Sequence, residues 1–521
     1  MAYHTTPYLL LFLPFVLLAY QITPAKWRSY TLLIFSYLFF WSFSGKLLVY
    51  LIGTTLLTHY ICLWMDKMDK RDKRKKRLLQ FGIILLLGTI LSLKYRNFFF
   101  GNVSHLATLL HIEWSYQNKI IFLPIGISFY TLSAIGYMAD VYWGKVKAEY
   151  SLVKTALFLG FFPVIVEGPI CRWDDVKDTL FKNESIKAEN IFKGSYRIVW
   201  GLFKKIIIAD RLAMLVDKVY IGYESYSGIV IIVAAIAYTI QLYMEFSGCM
   251  DIVIGSGQLF GIHLPENFRQ PFFAKTCTDF WKRWHITLGV WFKNYIFYPV
   301  SISKTARKWN KFIRKHLSGE FGKYVARMGI AAMALFPVWI SNGLWHGPRW
   351  SYIFYGLYYF GLIFAGLALE PVRDGILKRF HINTEMAGYK VFQTVKMLII
   401  IFTGEMFFRA DGFRQGVHMF KSIFRGFTTA TIKDGTLLTL GLDLNDFRVI
   451  IIGCIIVFFA DLIKEYWPKE TKLCQKQWIC AVEKAFVPGK WVVCYGLIMA
   501  ILIFGAYGEG YQIIDLIYAG F

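Results

Sequence analysis

The sequence predicts an all-α, polytopic integral membrane protein. Two observations carry this. Of 521 residues, 56% are hydrophobic and only 18% are charged, and apolar runs of about 20 residues, the length of a bilayer-spanning helix, recur from end to end. The runs are continuous and do not alternate apolar with polar, so helices rather than a closed barrel satisfy the backbone in lipid.

In chain order, the candidate spans lie near 6–23, 29–43, 46–65, 78–94, 121–142, 152–170, 193–219, 227–246, 249–263, 280–300, 328–346, 350–370, 389–409, 448–464 and 489–507. Several are short or interrupted by Gly and Pro. The expectation is therefore roughly 11–13 transmembrane helices plus short or re-entrant ones. The first apolar segment lacks a basic leader region and a small-residue cleavage site, and reads as a retained helix.

Charge refines this picture. The net charge is +24, and it is concentrated. Met65–Arg77 carries eight Lys and Arg, Lys304–Arg327 is a second basic block, and the stretch from Lys464 to Trp478 is a weaker third. Basic loops remain cytoplasmic and touch anionic lipid. This places Lys26 and Arg28 inside and the N-terminus outside. The basic runs flank spans and are not interleaved with base-stacking aromatics, so no nucleic-acid partner is expected. The eight cysteines are scattered. The nearest pair, Cys474 and Cys480, fits neither a zinc knuckle nor a redox motif, so no metal and no disulfide framework is expected.

No linker or low-complexity tract divides the chain. Three zones are distinguishable: N-terminal spans with the basic loop (1–120), a core holding most of the polar residues in apolar context (121–410), and an amphipathic segment with C-terminal spans (411–521). Any chemistry belongs inside the membrane or at its faces.

His346 marks where. It lies in the apolar stretch Ala334–Glu370, and an ionisable side chain at membrane depth is a functional-site hypothesis by default. Asn342 precedes it by one helical turn. Trp345, Gly343 and Gly347 flank it. Neutral imidazole accepts a proton from a hydroxyl nucleophile and titrates near physiological pH. His285 lies upstream, in a segment whose Trp281, Trp284, Leu288 and Trp291 follow helical spacing. Asp279 is placed to cap that helix, and Lys282 and Arg283 neighbour the histidine. Tryptophan–arginine clusters also form interfacial belts, and His285 also reads as a packing residue. Glu245 and Asp251 read as helix-packing ion pairs. Gly248, Gly255, Gly257 and Gly261 permit close helix approach. Leu264–Phe268 is a turn signal.

Several motifs together carry a family resemblance. They are Leu123–Tyr142 (LPIGISFYTLSAIGYMADVY), Gly160–Trp173 (GFFPVIVEGPICRW), Gly201–Ala213 (GLFKKIIIADRLA), Phe246–Phe272 (FSGCMDIVIGSGQLFGIHLPENFRQPF), Asp279–Pro299 (DFWKRWHITLGVWFKNYIFYP), Asn342–Tyr359 (NGLWHGPRWSYIFYGLYY) and Gly404–Phe413 (GEMFFRADGF). The chain resembles the membrane-bound O-acyltransferase family over about 120–415. The closest likeness is to its bacterial branch of alginate O-acetyltransferase membrane subunits and lipoteichoic-acid D-alanyltransferases. The resemblance implies helices ringing a thin centre, with a central tunnel that brings donor and acceptor together. It implies His346, in the W-H-G motif, as the catalytic histidine and His285, in the W-x-x-W-H motif, as the second signature residue. After Tyr298–Pro299 the chain departs from the alginate pattern. Val300–Trp309 replaces a Gly-Gly-Asn-Arg-like segment, which leaves the acceptor open.

The implied reaction moves an acyl group, acetyl in the leading reading, from a cytoplasmic thioester such as acetyl-CoA. No tightly bound cofactor is expected. The acceptor is a hydroxyl of an envelope polysaccharide, or a serine of an extracytoplasmic esterase-like relay protein. His346 serves as general base. Asn342, Trp345, Trp281, Trp284 or His285 orients the carbonyl, and Arg283 with the 304–327 block favours the donor's phosphates. Ser247 is a further candidate, as an internal acyl carrier. D-alanyl transfer from a carrier-protein thioester is the alternative within the class. A polysaccharide exporter and a non-catalytic scaffold are the alternatives outside it.

Overall fold

The computed structural model describes residues 2–69, 72–466 and 487–507. Cys474, Cys480 and most of the third basic run lie outside the described residues. Among those described, the regular structure is helical and contains no strand. Six stretches among the described residues are long and apolar enough to cross a bilayer: Ala25–Asp66, Lys73–Lys94, Ile229–Leu259, Gly319–His346, Trp350–Ala368 and Ala387–Arg409. Of the other expected spans, 448–464 falls in the 23-residue helix Leu444–Tyr466, 227–246 and 249–263 merge into the single helix Ile229–Leu259, and some are shorter apolar helices, such as Pro7–Ile22 and Trp491–Phe504.

The organising element is α1 (Ile229–Leu259), a 31-residue helix. Most of its apolar window (78%) is buried, against 17% for Lys73–Lys94. The first is a central post and the second a lipid-facing wall, although both are apolar. Apolar surface is driven inward by water but not by lipid, so small residues and polar contacts decide which helix is central. Ala188–Leu202 meets α1 through small residues. A Cβ on Gly255 would lie 2.7 Å from the Gly194 carbonyl, and one on Gly248 would lie 2.8 Å from the Gly201 carbonyl. These pairs are two turns apart and form one seam.

Polar groups lock the same seam. Ala188–Leu202 continues into a π-helical turn, Phe203–Ala209, which carries Lys204 and Lys205 into the interior. Lys205 is 1% exposed and pairs with Glu245 at 3.0 Å and Asp210 at 2.7 Å. Lys204 pairs with Asp251 at 2.6 Å and donates to Ser247 Oγ at 2.9 Å. Arg197 bonds Asp251 at 3.0 Å. Buried charges of this kind require partners.

One expected helix is broken. The segment from Asp279 forms two pieces, Cys277–Trp281 and Ile286–Phe292. Thr276, rather than Asp279, caps the first, its hydroxyl accepting the Asp279 N–H at 3.1 Å. The break has a tertiary cause. The loop after α1 runs alongside, so that the Arg269 N–H donates to the Arg283 carbonyl and the Ile286 N–H to the Asn267 carbonyl, each at 2.9 Å. His285 at the break adopts left-handed φ 46°, ψ 52°, an uncommon conformation for a residue with a Cβ.

Candidate active site

Two segments bring the histidines together. His346 is the last residue of α2 (Gly319–His346). Gly347 follows with φ 155° and ψ 175°, a region open to glycine, and Pro348 cannot donate a backbone hydrogen bond. The helix therefore stops at the histidine. Its imidazole is buried among Trp345, Phe408, Tyr352 and Tyr355, with ring centroids at 5.0, 4.8, 6.1 and 6.1 Å. The His285 ring lies against the same indole, 5.4 Å from Trp345. Trp345 thus touches both imidazoles.

The His285 tautomer follows from its neighbours. Asn267 Oδ1 accepts the Thr287 N–H at 3.1 Å and the Thr287 hydroxyl at 3.0 Å. A backbone N–H only donates, so the atom facing it is the amide oxygen. His285 Nδ1 lies 3.2 Å from that oxygen and is therefore the protonated nitrogen, leaving Nε2 as the basic one. The turn residue Asn267 is thus the orienting partner of His285.

The other predicted site residues separate into groups. Asn342 is buried one turn before His346, and its Oδ1 has no hydrogen-bond partner among the described residues. Trp281 packs on Trp339 and Tyr359, both at 4.9 Å, and on Tyr355 at 6.1 Å, so it belongs to the wall beside His346. Trp284, in the break between the two helix pieces, packs on Phe268, Phe280 and Tyr243, at 5.0, 5.6 and 6.1 Å. Arg283 is held by two carboxylates, Asp279 at 2.9 Å and Glu465 at 2.8 Å. Ser247 accepts a hydrogen bond from Lys204, which is itself paired with Asp251.

Three residues join the site that sequence reasoning did not single out. Lys94 Nζ donates to the Trp345 carbonyl at 2.8 Å. Tyr355 donates to Glu405 Oε1 at 2.8 Å. Glu405, on α3 (Ala387–Arg409), has no exposed surface. Its signal was available: an acid within an apolar helix obeys the rule that singles out His346. Lys94 carried no comparable signal, because it reads as a cation ending a span.

Two openings adjoin the cluster. A polar cavity of ≈ 70 Å³ is lined by Arg197, Lys204, Tyr243, Asp251, Asp461 and Lys464, and reaches Asn267. An apolar cleft of ≈ 650 Å³ begins at Pro348, with Trp350, Phe354 and Phe413 in its walls and Arg349 and Arg414 beside them.

A helical membrane protein with two imidazoles converging on one indole defines a lipid-embedded site suited to proton transfer. The chain belongs to the membrane-bound O-acyltransferase family, whose model matches residues 145–318; it is an O-acyltransferase of the membrane. That stretch includes His285 and ends before His346. A probable alginate O-acetylase of Pseudomonas syringae pv. tomato is 31% identical over 424 residues, covering 81% of this chain and 75% of that protein. A peptidoglycan O-acetyltransferase of Helicobacter pylori is 28% identical, covering 81% and 79%. A teichoic acid D-alanyltransferase of Bacillus subtilis is 30% identical over 249 residues, covering 47% and 58%.

Proposed function

We propose that this enzyme transfers an acetyl group from a cytoplasmic thioester, acetyl-CoA, to a hydroxyl of an extracytoplasmic envelope polysaccharide or of an acyl-relay protein, with His346 as general base. The convergence of both imidazoles on Trp345 carries the reading. A hydroxyl delivered to His346 loses its proton to the imidazole while its oxygen attacks the thioester carbonyl. The new ester bond forms, the carbon–sulfur bond breaks, and the imidazolium returns the proton to the departing thiolate. The Trp345 indole N–H is the donor that orients the carbonyl oxygen; His285, its proton held on Nδ1 by Asn267, offers only an accepting Nε2 and does not share that role. The surrounding aromatic rings exclude water and so limit hydrolysis of the thioester.

Charge supports the direction of transfer. Lys73–Lys94 and α2 each leave a basic segment, and positive loops remain cytoplasmic. Their far ends meet where Lys94 bonds Trp345. Both helices therefore run outward, and His346 lies toward the extracytoplasmic side. The cleft after His346 serves the acceptor. Arg283 is engaged by Asp279 and Glu465, so the donor's phosphates fall to the basic helix Lys304–His316. Acetyl transfer is favoured over D-alanyl transfer because the O-acetylases and the O-acetyltransferase align over four-fifths of the chain and the B. subtilis D-alanyltransferase over about half.

The test is base-labile acetate in envelope polymer from cells making wild type or His346→Ala at equal membrane levels. Loss of acetate in the variant supports the proposal. Equal acetate in both removes the general base. D-alanine esters in place of acetate would transfer the reading to the other acyl group.

A further inference from the structure

Buried polar atoms without partners collect on one wall of the site. Among the described residues, Asn342 Oδ1, Tyr359 Oη, Glu405 Oε2 and Trp281 Nε1 are each shielded from solvent and lack a hydrogen bond. Asn342, Tyr359 and Glu405 are buried side chains. They are also contiguous. Trp281 and Tyr355 pack on Tyr359 at 4.9 and 5.0 Å, Tyr355 packs on His346, and the Tyr355 hydroxyl binds the other oxygen of Glu405. Asn342 is one turn from His346. The four residues come from four helices, so no single local constraint accounts for them.

Native interiors satisfy nearly all their polar groups, and an exception calls for an explanation such as a missing ligand or water. The chemistry of this set is specific. A carboxyl oxygen and an amide oxygen accept, a phenol does both, and one indole N–H donates. Such a set repels phosphate and suits a neutral group that donates hydrogen bonds. The geometry points to an acceptor-hydroxyl subsite. Glu405, Asn342 and Tyr359 hold the incoming alcohol beside His346, and Tyr355 fixes Glu405 in place. This rests on the O-acyltransfer reading and adds the residues that seat its second substrate. Tyr355 is a positioning residue here, since it acts through Glu405.

The test uses the full-length protein in membranes of the native host, with radiolabelled acetyl-CoA as donor and label on envelope polymer as readout. Glu405→Gln preserves volume, and Tyr355→Phe preserves the ring against His346. Each is expected to lower turnover by about tenfold or more, while the KM for acetyl-CoA stays within about twofold. The double variant is expected to be no worse than the weaker single, because both disturb one contact. Unchanged turnover in Glu405→Gln would overturn the subsite, as would a proportionate rise in donor KM. Equal losses of turnover and of folded protein would assign the cluster to stability and overturn it too. His346→Ala in the same assay separates the two levels. If it retains activity, the general-base reading fails. If it is inactive while Glu405→Gln is normal, only the subsite fails.

Discussion

Lys94 and Trp345 are 251 residues apart, and the lysine ammonium donates to the tryptophan carbonyl at 2.8 Å. That carbonyl belongs to the last turn of the helix carrying His346, and its ordinary i+4 donor, the Arg349 N–H, bonds the Gly347 carbonyl instead at 3.0 Å. A cation there satisfies an orphan acceptor and complements the negative end of the helix dipole. The contact ties the helix Lys73–Lys94 to the end of the helix that carries His346.

Replacement of Lys94 by Met is therefore expected to loosen the end of α2. A hydrogen bond to a charged group contributes about 1.5–3 kcal/mol. If that constraint is felt in the transition state, turnover falls by about tenfold or more, and Lys94→Arg recovers part of it. Acetyl release from acetyl-CoA, measured beside thermal unfolding in detergent, checks this. Loss of stability without loss of turnover per folded molecule would show that the contact serves only the fold.

Asn267 holds His285 in one tautomer and also accepts from Thr287. Asn267→Leu removes the acceptor from three donors. Each buried donor left unsatisfied costs about 1–3 kcal/mol, and turnover is expected to fall with stability. Asn267→Asp keeps an acceptor oxygen and is expected to be closer to wild type. Turnover of the two variants at matched folded concentration is the measurement.

The seam between Ala188–Leu202 and Ile229–Leu259 depends on the absence of side chains. Gly255→Leu is expected to force the helices apart and to destabilise by about 1–3 kcal/mol, as overpacking does. Gly361→Ala is the control, since a Cβ there meets nothing within 4 Å. Midpoints of thermal unfolding should separate the two.

Lys205 neutralises Glu245 and Asp210 where water is excluded. Lys205→Met removes a cation shared by the buried Glu245 and the half-buried Asp210. The expected loss is about 3–5 kcal/mol, seen as reduced membrane levels and a lower melting temperature. The double variant Lys205→Met with Glu245→Gln is expected to recover part of it.

Some of this organisation was legible in the residues. The helix ending at His346 could be read because Gly-Pro terminates helices in any context. Glu245 and Asp251 could be read as packing ion pairs, because a carboxylate beside an apolar span needs a cation. The break between Trp281 and Ile286 could not. Trp281, Trp284, Leu288 and Trp291 keep helical spacing across it, and the groups that interrupt the helix belong to the separate loop containing Asn267. Glu405 was visible as an anomalous charge, but its place beside His346 depends on Tyr355, 50 residues away.

The sequence by itself determined the helical membrane class, the concentration of polar residues in the core zone and the two histidines. Each follows from hydropathy, charge or motif, which are properties of neighbouring residues. Only the tertiary structure decided that both histidines touch Trp345, that Asn267 sets a tautomer, that Lys94 holds the end of the helix carrying His346 and that unpaired polar atoms gather at Glu405. Those depend on which helices meet and at what depth. In lipid, small-residue seams and buried polar contacts make that choice, and they join segments far apart in the chain.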